Sequence, residues 1–208
     1  MSFGGRNRVR RRLCRPYPRW MARQIYRQAL KITSRTSVMS NVFVQAVMPV
    51  IQPTAGELAD GLSALRNDGS ECVYCGDRAT DFDHLMPLVK HGQPTGYITE
   101  PGNMVPSCGP CNQSKSGQEW RAWMLGPARL SPSSRGIAGV PERIAAIENF
   151  IAWRGPVQID FAAAAGEAWS TYREHLEGIK AAMVAAQKEA DAVRDIIRAS
   201  AEVEFSRR

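Results

Sequence analysis

Residues 72–84 read CVYCGDRATDFDH and place two cysteines, three aspartates and a histidine within one short stretch. The stretch is either a metal clip that only holds the fold or one edge of a hydrolytic site. A second pair of cysteines repeats the spacing, so that Cys72-x-x-Cys75 and Cys108-x-x-Cys111 enclose residues 76–107. Two such pairs match a tetrahedral zinc site with four thiolate ligands. We therefore predict a structural zinc ion, because four thiolates leave no open coordination position.

Polar residues between and beside these cysteines form a second pattern, in the order Asp83, His84, Pro87, Asn103 and Asn112. Together with the cysteines, this order resembles the signature of the HNH, or ββα-metal, endonucleases, and especially of members with four zinc-binding cysteines. The resemblance covers about residues 72–123, a quarter of the chain. It implies a two-stranded hairpin followed by a helix, with the cysteines joining the two.

The resemblance also implies a role for each residue. Asp83 and Asn112 would bind a second, catalytic ion, and their oxygen donors suit Mg²⁺ or Mn²⁺. His84 would act as the general base that takes a proton from the water attacking phosphorus. Asn103 would tie the loop together and help to orient the histidine. Cleavage of this type leaves a 5′-phosphate and a 3′-hydroxyl.

Two features depart from the commonest HNH pattern. Asn112 stands where many members have histidine, as it does in four-cysteine members, and the interval between His84 and Asn103 contains the long loop HGQPTGYITEPG. His91 in that loop is an alternative base, a phosphate contact or an exposed loop histidine. Lys115 follows Asn112 by one turn, where it would approach a phosphate or remain a solvated helix lysine.

The positive charge is concentrated at the N-terminus. The chain carries 27 Lys and Arg against 20 Asp and Glu, a net charge of +7, yet the first acidic residue is Glu57. This distribution is typical of a segment that contacts a polyanion, although a cleaved organelle transit peptide and a solvated charged face also fit it. The nucleic-acid contacts that we predict here are Arg8, Arg10, Arg11, Arg12, Arg15, Arg19, Arg23 and Arg27.

Helical periodicity flanks the cysteine region on both sides. We predict a basic helix over residues 17–35, a helix ending near Asn67, a helix capped by Asn112, a helix opened by Pro141, and a long helix over residues 161–204. Residues 72–106 are rich in Gly and Pro and predict turns and short strands. The fold class is therefore α+β and mostly helical. We divide it into a basic region, 1–56, a zinc-binding ββα-metal (HNH) module, 57–127, and a helical C-terminal region, 128–208.

The long C-terminal helix carries two heptad series of mostly apolar residues. They are Tyr172, Ile179, Ala186 and Val193, and Leu176, Met183, Ala190 and Ile197. This spacing is typical of a coiled-coil seam that pairs two chains, and equally of a helix lying along its own domain.

The leading functional hypothesis is a Mg²⁺- or Mn²⁺-dependent endonuclease that hydrolyses double-stranded DNA, such as a restriction enzyme or another sequence- or structure-selective DNase. The alternatives are a non-catalytic zinc-finger protein that binds nucleic acid and an RNA-directed nuclease. The apolar run 38–51 is too short and too polar to cross a membrane, and Cys14 has no neighbour in sequence, so we expect it to be a free thiol. The expected setting is the cytoplasm of a prokaryote, or a phage-encoded protein, in association with the nucleoid.

Overall fold

The structure is a computed structural model, and it describes residues 29–207. The arginines predicted to contact nucleic acid, together with Cys14, lie outside the described residues. The chain divides after Lys31, and from Ile32 onward it forms one compact unit. This unit is α+β and mostly helical, as predicted. Within residues 29–207, no helix has both the length and the apolar character that a membrane span requires.

The described part begins with helices that follow one another closely. A 3₁₀ helix, Ile32–Arg35, leads into α1, Thr36–Ala46, and α2 spans Ala55–Ala64. Thr54 caps α2 by accepting a hydrogen bond from the Glu57 amide, and the Glu57 carboxylate accepts one from the Thr54 amide. The helix predicted over 17–35 lies mostly outside the described residues, and its described end is the 3₁₀ turn.

The strands and the next helix form the predicted ββα unit. Strand β1, Asp81–His84, pairs antiparallel with β4, Met104–Ser107, so that His84 lies opposite Met104 and Asp83 opposite Val105. The intervening loop contains a small hairpin of β2, Val89–Lys90, and β3, Gln93–Pro94. Helix α3, Gly109–Lys115, follows β4 directly.

Helix α3 begins earlier than the sequence pattern predicts. Cys108 is its capping residue, Pro110 lies in its first turn, and Asn112 is therefore inside the helix. Proline suits a first turn because its missing N–H would have no intrahelical partner there. The predicted cap at Asn112 is wrong for this reason. The helix then breaks at Ser116, whose φ is +48°, and α4, Trp120–Leu125, starts after a new cap at Glu119.

A single core joins the regions that the sequence analysis separated. Tyr74 packs edge-on against Trp123, with ring centroids 5.2 Å apart. Helix α5, Val140–Trp153, contributes its predicted apolar stripe to the same core through Ile144, Ile147 and Phe150. A Cβ on Gly61 of α2 would meet the Trp153 ring at 3.1 Å, so α2 and α5 pack closely there. Helix α5, from the predicted region 128–208, thus shares a core with residues of the predicted module 57–127.

The C-terminal helix α6, Phe161–Ser206, confirms the predicted long helix and contains a break at Gly166. The first half of its predicted seam faces its own chain: Leu176 is buried, and the Tyr172 hydroxyl donates to the Phe43 carbonyl at 2.9 Å. The second half does not, because Val193 and Ile197 are more than half exposed. The helix therefore lies along its own domain at one end and presents apolar side chains to solvent at the other.

Candidate metal centre and adjoining cavity

The four paired cysteines form one buried cluster. Their sulfur atoms all lie within 4.8 Å of one another. Cys75 Sγ and Cys108 Sγ are 3.7 Å apart. Four sulfurs arranged around a zinc ion at 2.3 Å would be separated by about 3.8 Å, so the cluster has the dimensions of a tetrahedral thiolate site. The predicted structural metal site, with Cys72, Cys75, Cys108 and Cys111 as ligands, matches this geometry.

Local structure brings the two pairs together. Cys72 and Cys75 lie in a tight turn in which the Gly76 amide donates to the Cys72 carbonyl at 2.9 Å. The Val73 amide donates to the Pro106 carbonyl at 3.0 Å and fixes this turn against β4. Cys108 and Cys111 occupy the cap and the first turn of α3. The cluster therefore joins the hairpin to the helix.

The thiols affect one another's protonation strongly. Hydrogen bonds from the Cys111 and Cys72 thiols hold the pKa of Cys75 well below its ordinary value, and contacts with the Cys72 and Cys75 thiols raise the pKa of Cys111. Four adjacent thiolates repel one another, so a cation among them is the means of deprotonating all four. The donor set is soft, which suits zinc.

Arg135 is a residue near the cluster that sequence reasoning missed. Its guanidinium lies 3.7 Å from Cys111 Sγ and forms an ion pair with Asp77 at 3.0 Å. The hydrogen bond with Asp77, and next the contact with Cys75, raise the pKa of Arg135. A cation here offsets the excess negative charge of a four-thiolate zinc site. Arg135 lies in a Gly- and Pro-rich stretch that resembles a linker, so no motif pointed to it.

A cavity of about 590 Å³ reaches α3 at Asn112, the residue that follows Cys111. Three of the predicted site residues line it: Asp83 and His84 from the end of β1, and Asn112 from α3. The hairpin and the helix thus bring together His84 and Asn112, which are 28 positions apart in the sequence. His91, at the tip of the β2–β3 hairpin, also lines the cavity and is exposed.

Asp83 is buried and already has two partners. Its Oδ2 atom accepts a hydrogen bond from the Tyr74 hydroxyl at 2.7 Å and pairs with the Lys115 ammonium at 3.0 Å. Burial and the charge of Asp83 raise the pKa of Tyr74 well above its ordinary value, so the phenol remains a donor. The other carboxylate oxygen, Oδ1, has no such contact within the described residues and is the atom available to a ligand in the cavity.

Lys115 does not occupy the surface position that the sequence predicted. Its side chain has no exposed area, and its Nζ also donates to the His84 carbonyl at 2.8 Å. Burial lowers the pKa of Lys115, and the charge of Asp83 opposes that shift. Neither the predicted phosphate contact nor a solvated lysine agrees with this position. The residue holds the Asp83 carboxylate and the end of β1 in place.

His84 is oriented by a residue that the sequence did not indicate. The His84 ring nitrogen Nε2 lies 2.8 Å from the Thr99 hydroxyl. Nδ1 is the ring nitrogen that this contact does not use. Burial lowers the pKa of His84, and the charge of Asp83, the next largest effect, opposes that shift. The imidazole is therefore neutral at pH 7 and can accept a proton.

Asn103 is fully buried and ties the loop, as the resemblance implies. Its amide donates to the Met86 carbonyl at 3.1 Å and to the Ile98 carbonyl at 3.0 Å, and its oxygen accepts from the Met86 amide at 2.7 Å. These bonds use both N–H groups of the Asn103 amide, and Thr99 is the residue that contacts the imidazole. Asn103 therefore positions the loop after β1. Its hydrogen bonds do not include one to the His84 ring, so they support the predicted loop contact and not a direct contact with the histidine.

Asn112 is held by a hydrogen bond to the first residue of β1. Its Nδ2 donates to Asp81 Oδ2 at 3.2 Å, which leaves its side-chain oxygen available. The amide nitrogen is thus engaged with β1, and the oxygen is the donor atom that a hard cation takes.

No family model matches the chain. Among curated proteins, a 56-residue stretch is 34% identical to Protein ea31 of Escherichia phage lambda. The match covers 26% of this chain and 18% of the phage protein, so the chain spans about a fifth of that relative. No solved structure matches.

Proposed function

We propose that this chain is a metal-dependent endonuclease of the HNH (ββα-metal) type. One observation carries the proposal: Asp83, His84 and Asn112, which the sequence motif predicts as site residues, line a single cavity, and Asn112 directly follows Cys111 of the four-cysteine cluster. An oxygen ligand set for a divalent ion and an imidazole base are the groups that hydrolysis of a phosphodiester can use.

In this proposal, His84 removes the proton from the attacking water. The imidazole carries its own proton on Nε2, where the Thr99 hydroxyl accepts it, and Nδ1 takes the proton of the water. The water oxygen forms a bond to phosphorus, the bond from phosphorus to the 3′ oxygen breaks, and the departing oxygen takes a proton from solvent water. The products are a 5′-phosphate and a 3′-hydroxyl.

Asp83 Oδ1 and the Asn112 side-chain oxygen are the atoms that would hold the divalent ion. Both are hard oxygen donors, and one monodentate carboxylate with one amide suits Mg²⁺ or Mn²⁺, which keep several waters. When bound, the ion stabilises the charge that develops on the phosphate and on the departing oxygen. Lys115 and Tyr74 fix the carboxylate in one orientation, so that Oδ1 is the atom presented to the cavity.

Double-stranded DNA is the proposed substrate. Eleven basic residues and no acidic residue precede Glu57, and such a segment binds phosphates through contacts that carry little sequence information. The similar protein comes from a bacteriophage, and this agrees with the expected prokaryotic or phage source.

The decisive experiment is digestion by the full chain and by His84→Ala, each loaded with zinc and supplied with Mg²⁺ or Mn²⁺. Substrates are defined duplex DNA, a four-way junction, single-stranded DNA and RNA, with the cut ends mapped by sequencing. We expect the wild type to cut duplex DNA and His84→Ala to lose at least about 100-fold in rate, the typical contribution of a general base. Equal cleavage by both proteins would remove His84 from the mechanism, and preferential cleavage of RNA would change the substrate.

A second candidate function is a non-catalytic zinc protein that binds nucleic acid. The ion pair between Lys115 and Asp83 favours it, because the carboxylate charge is already balanced within the chain. This candidate predicts binding that weakens steeply with salt and no cleavage by the wild type with any divalent ion. The same digestion panel separates the two functions.

We also propose that two chains pair through the distal half of α6. Val193, Ile196 and Ile197 are each more than half exposed there, and an amphipathic helix buries such a face in its functional state. A second copy offers an identical helix with the same heptad spacing. Two active sites in one dimer would then act on opposite strands.

A further inference from the structure

The cavity has a second wall, which belongs to α1 and not to the ββα unit. Asn41 and Gln45 line it from α1, and Met48, just beyond the end of α1, lines it as well. Residues 41 and 45 are four apart in a helix and therefore lie on one face. The cavity is thus a cleft between two structural elements.

Helix α1 is fixed in place against the rest of the unit. A Cβ on Gly92 would meet the Ser40 side chain at 3.3 Å, so the tip of the β2–β3 hairpin contacts α1 closely. On the side of α6, Phe43 packs against Tyr172 with ring centroids 5.2 Å apart. Ser40 and Val44 are buried. These contacts hold α1 in place, so the positions of Asn41 and Gln45 along the cavity are set by the packing of the helix.

The chemistry of this wall differs from that of the basic N-terminus. Helix α1 contains no charged residue, so the face toward the cavity offers amides and no cation. The Asn41 and Gln45 side chains are exposed and form no hydrogen bond to another residue of the described chain. A site built for phosphate would use Arg or Lys, which bind the anion with charge-assisted hydrogen bonds. An amide has one acceptor and two donors, the pattern that pairs with the edge of a base, as Asn and Gln do with adenine.

We infer that Asn41 and Gln45 are specificity-determining residues, which read the edges of the bases next to the scissile phosphate. This inference rests on the proposed nuclease function and deepens it. One wall of the cleft holds the reacting phosphate against His84, and the other contacts the bases of the adjoining nucleotides. Their edges become accessible in a groove or in a locally opened strand. The enzyme then prefers certain flanking bases even though its arginine-rich segment contacts phosphates without regard to sequence.

The test uses the full, zinc-loaded chain and a library of DNA duplexes in which three base pairs on each side of the cut are randomised. Cleavage with Mg²⁺ is measured for the wild type, Asn41→Ala, Gln45→Ala and the conservative Gln45→Asn. Gln52→Ala is the matched control, because Gln52 is an exposed glutamine that does not line this cavity. Unfolding midpoints of all variants are recorded alongside.

We expect the ratio of kcat/KM between the best and worst flanking sequences to fall about tenfold in Asn41→Ala and Gln45→Ala, as loss of a base contact predicts. KM should rise more than kcat falls, the salt dependence of binding should keep its slope, and Gln45→Asn should retain part of the preference. The Gln52→Ala control should cleave like the wild type.

Three results would overturn the inference while leaving the nuclease proposal intact. They are a wild type that cuts without flanking preference, variants whose preference is unchanged, and a loss of rate that is the same for every flanking sequence. A wild type that cuts no nucleic acid under any divalent ion would reject the nuclease proposal itself, and this inference with it.

Discussion

The Lys115 ammonium lies 3.0 Å from Asp83 Oδ2, and both side chains are almost completely removed from solvent. Two opposite charges in such a position do not simply add stability, because each gives up its hydration. Instead, each buried charge is compensated only while its partner is present. Removing one partner leaves an uncompensated charge in the interior, beside the cavity that the proposed function requires.

Lys115→Met tests this dependence. The substitution keeps an unbranched side chain but leaves the Asp83 carboxylate buried with only the Tyr74 hydroxyl as partner. We expect the free energy of unfolding to fall by about 3–5 kcal/mol, measured by urea denaturation in the presence of zinc. Lys188→Met, on the exposed surface of α6, is the control and should change it by less than about 0.5 kcal/mol.

The double variant Asp83→Asn/Lys115→Met gives a second measurement of the same pair. It removes both charges, so its loss of stability should be smaller than the sum of the two single losses. A Lys115→Met protein as stable as the Lys188→Met control would show that the ion pair is not formed in solution.

Loss of one thiolate should abolish the metal site. We expect Cys75→Ser to lose its zinc, measured by atomic spectroscopy, and to lose cooperative unfolding as well. The binding free energy of a structural zinc, on the order of 10 kcal/mol, is folding free energy for a region with little other regular structure. Cys14→Ser is the matched control and should retain one zinc per chain. A Cys75→Ser protein with full zinc content would contradict the four-thiolate assignment.

Thr99→Val tests how His84 is oriented. Valine has nearly the same shape but no hydroxyl, so the imidazole loses its partner at Nε2. Partners of this kind typically contribute 10-fold to 100-fold, and we expect cleavage to fall by about tenfold with little change in the unfolding midpoint. Thr171→Val, on the exposed face of α6, should cleave normally. If both variants cleave equally, Thr99 does not position the base.

The cap of α2 predicts a specific dependence on pH. A hydrogen bond from the Thr54 amide, followed by one from Arg154, lowers the pKa of Glu57 from 4.5 to about 2. The folded chain therefore binds this proton less tightly than the unfolded chain. The resulting stability is fully present above pH 4.5 and is lost as the pH falls toward about 2.

Glu57→Gln removes this titration but keeps a side chain that can complete the cap. The stability difference between wild type and Glu57→Gln should therefore shrink as the pH falls from 4.5 toward 2, measured by thermal unfolding at each pH. Glu202→Gln, an exposed residue of α6, is the control. A constant difference across this range would mean that the carboxylate is not held in the cap.

Pairing of two chains through α6 can be tested by sedimentation. We expect the full chain to sediment as a dimer at micromolar concentration and Ile196→Lys/Ile197→Lys to sediment as a monomer, because charge would enter an apolar seam. Glu202→Lys lies on the opposite face of the helix, at an exposed position, and should leave the dimer intact. A wild type that remains monomeric at all concentrations would reject the pairing.

The sequence predicts those parts of the site that depend on local spacing. The cysteine pairs, Asp83 and His84 on one strand, and Asn112 beside Cys111 all follow from short-range pattern. Thr99, Arg135 and the buried position of Lys115 do not, because each depends on a contact between segments that are distant in sequence. Asn112 was expected to cap a helix, but the cap is Cys108, four residues earlier, and Pro110 lies in the first turn. The second wall at Asn41 and Gln45 exists only because α1 folds over the hairpin.

Cys111 and Asn112 are consecutive residues of α3, and one belongs to the sulfur cluster while the other faces the cavity. A single peptide bond therefore links the sulfur cluster to the proposed oxygen site. In the proposed nuclease, the sulfur ligands fix the first turn of α3, which carries Asn112, so we expect the second ion to depend on the first. A chelator that extracts the softer ion should then also abolish cleavage, and adding back magnesium alone should not restore it.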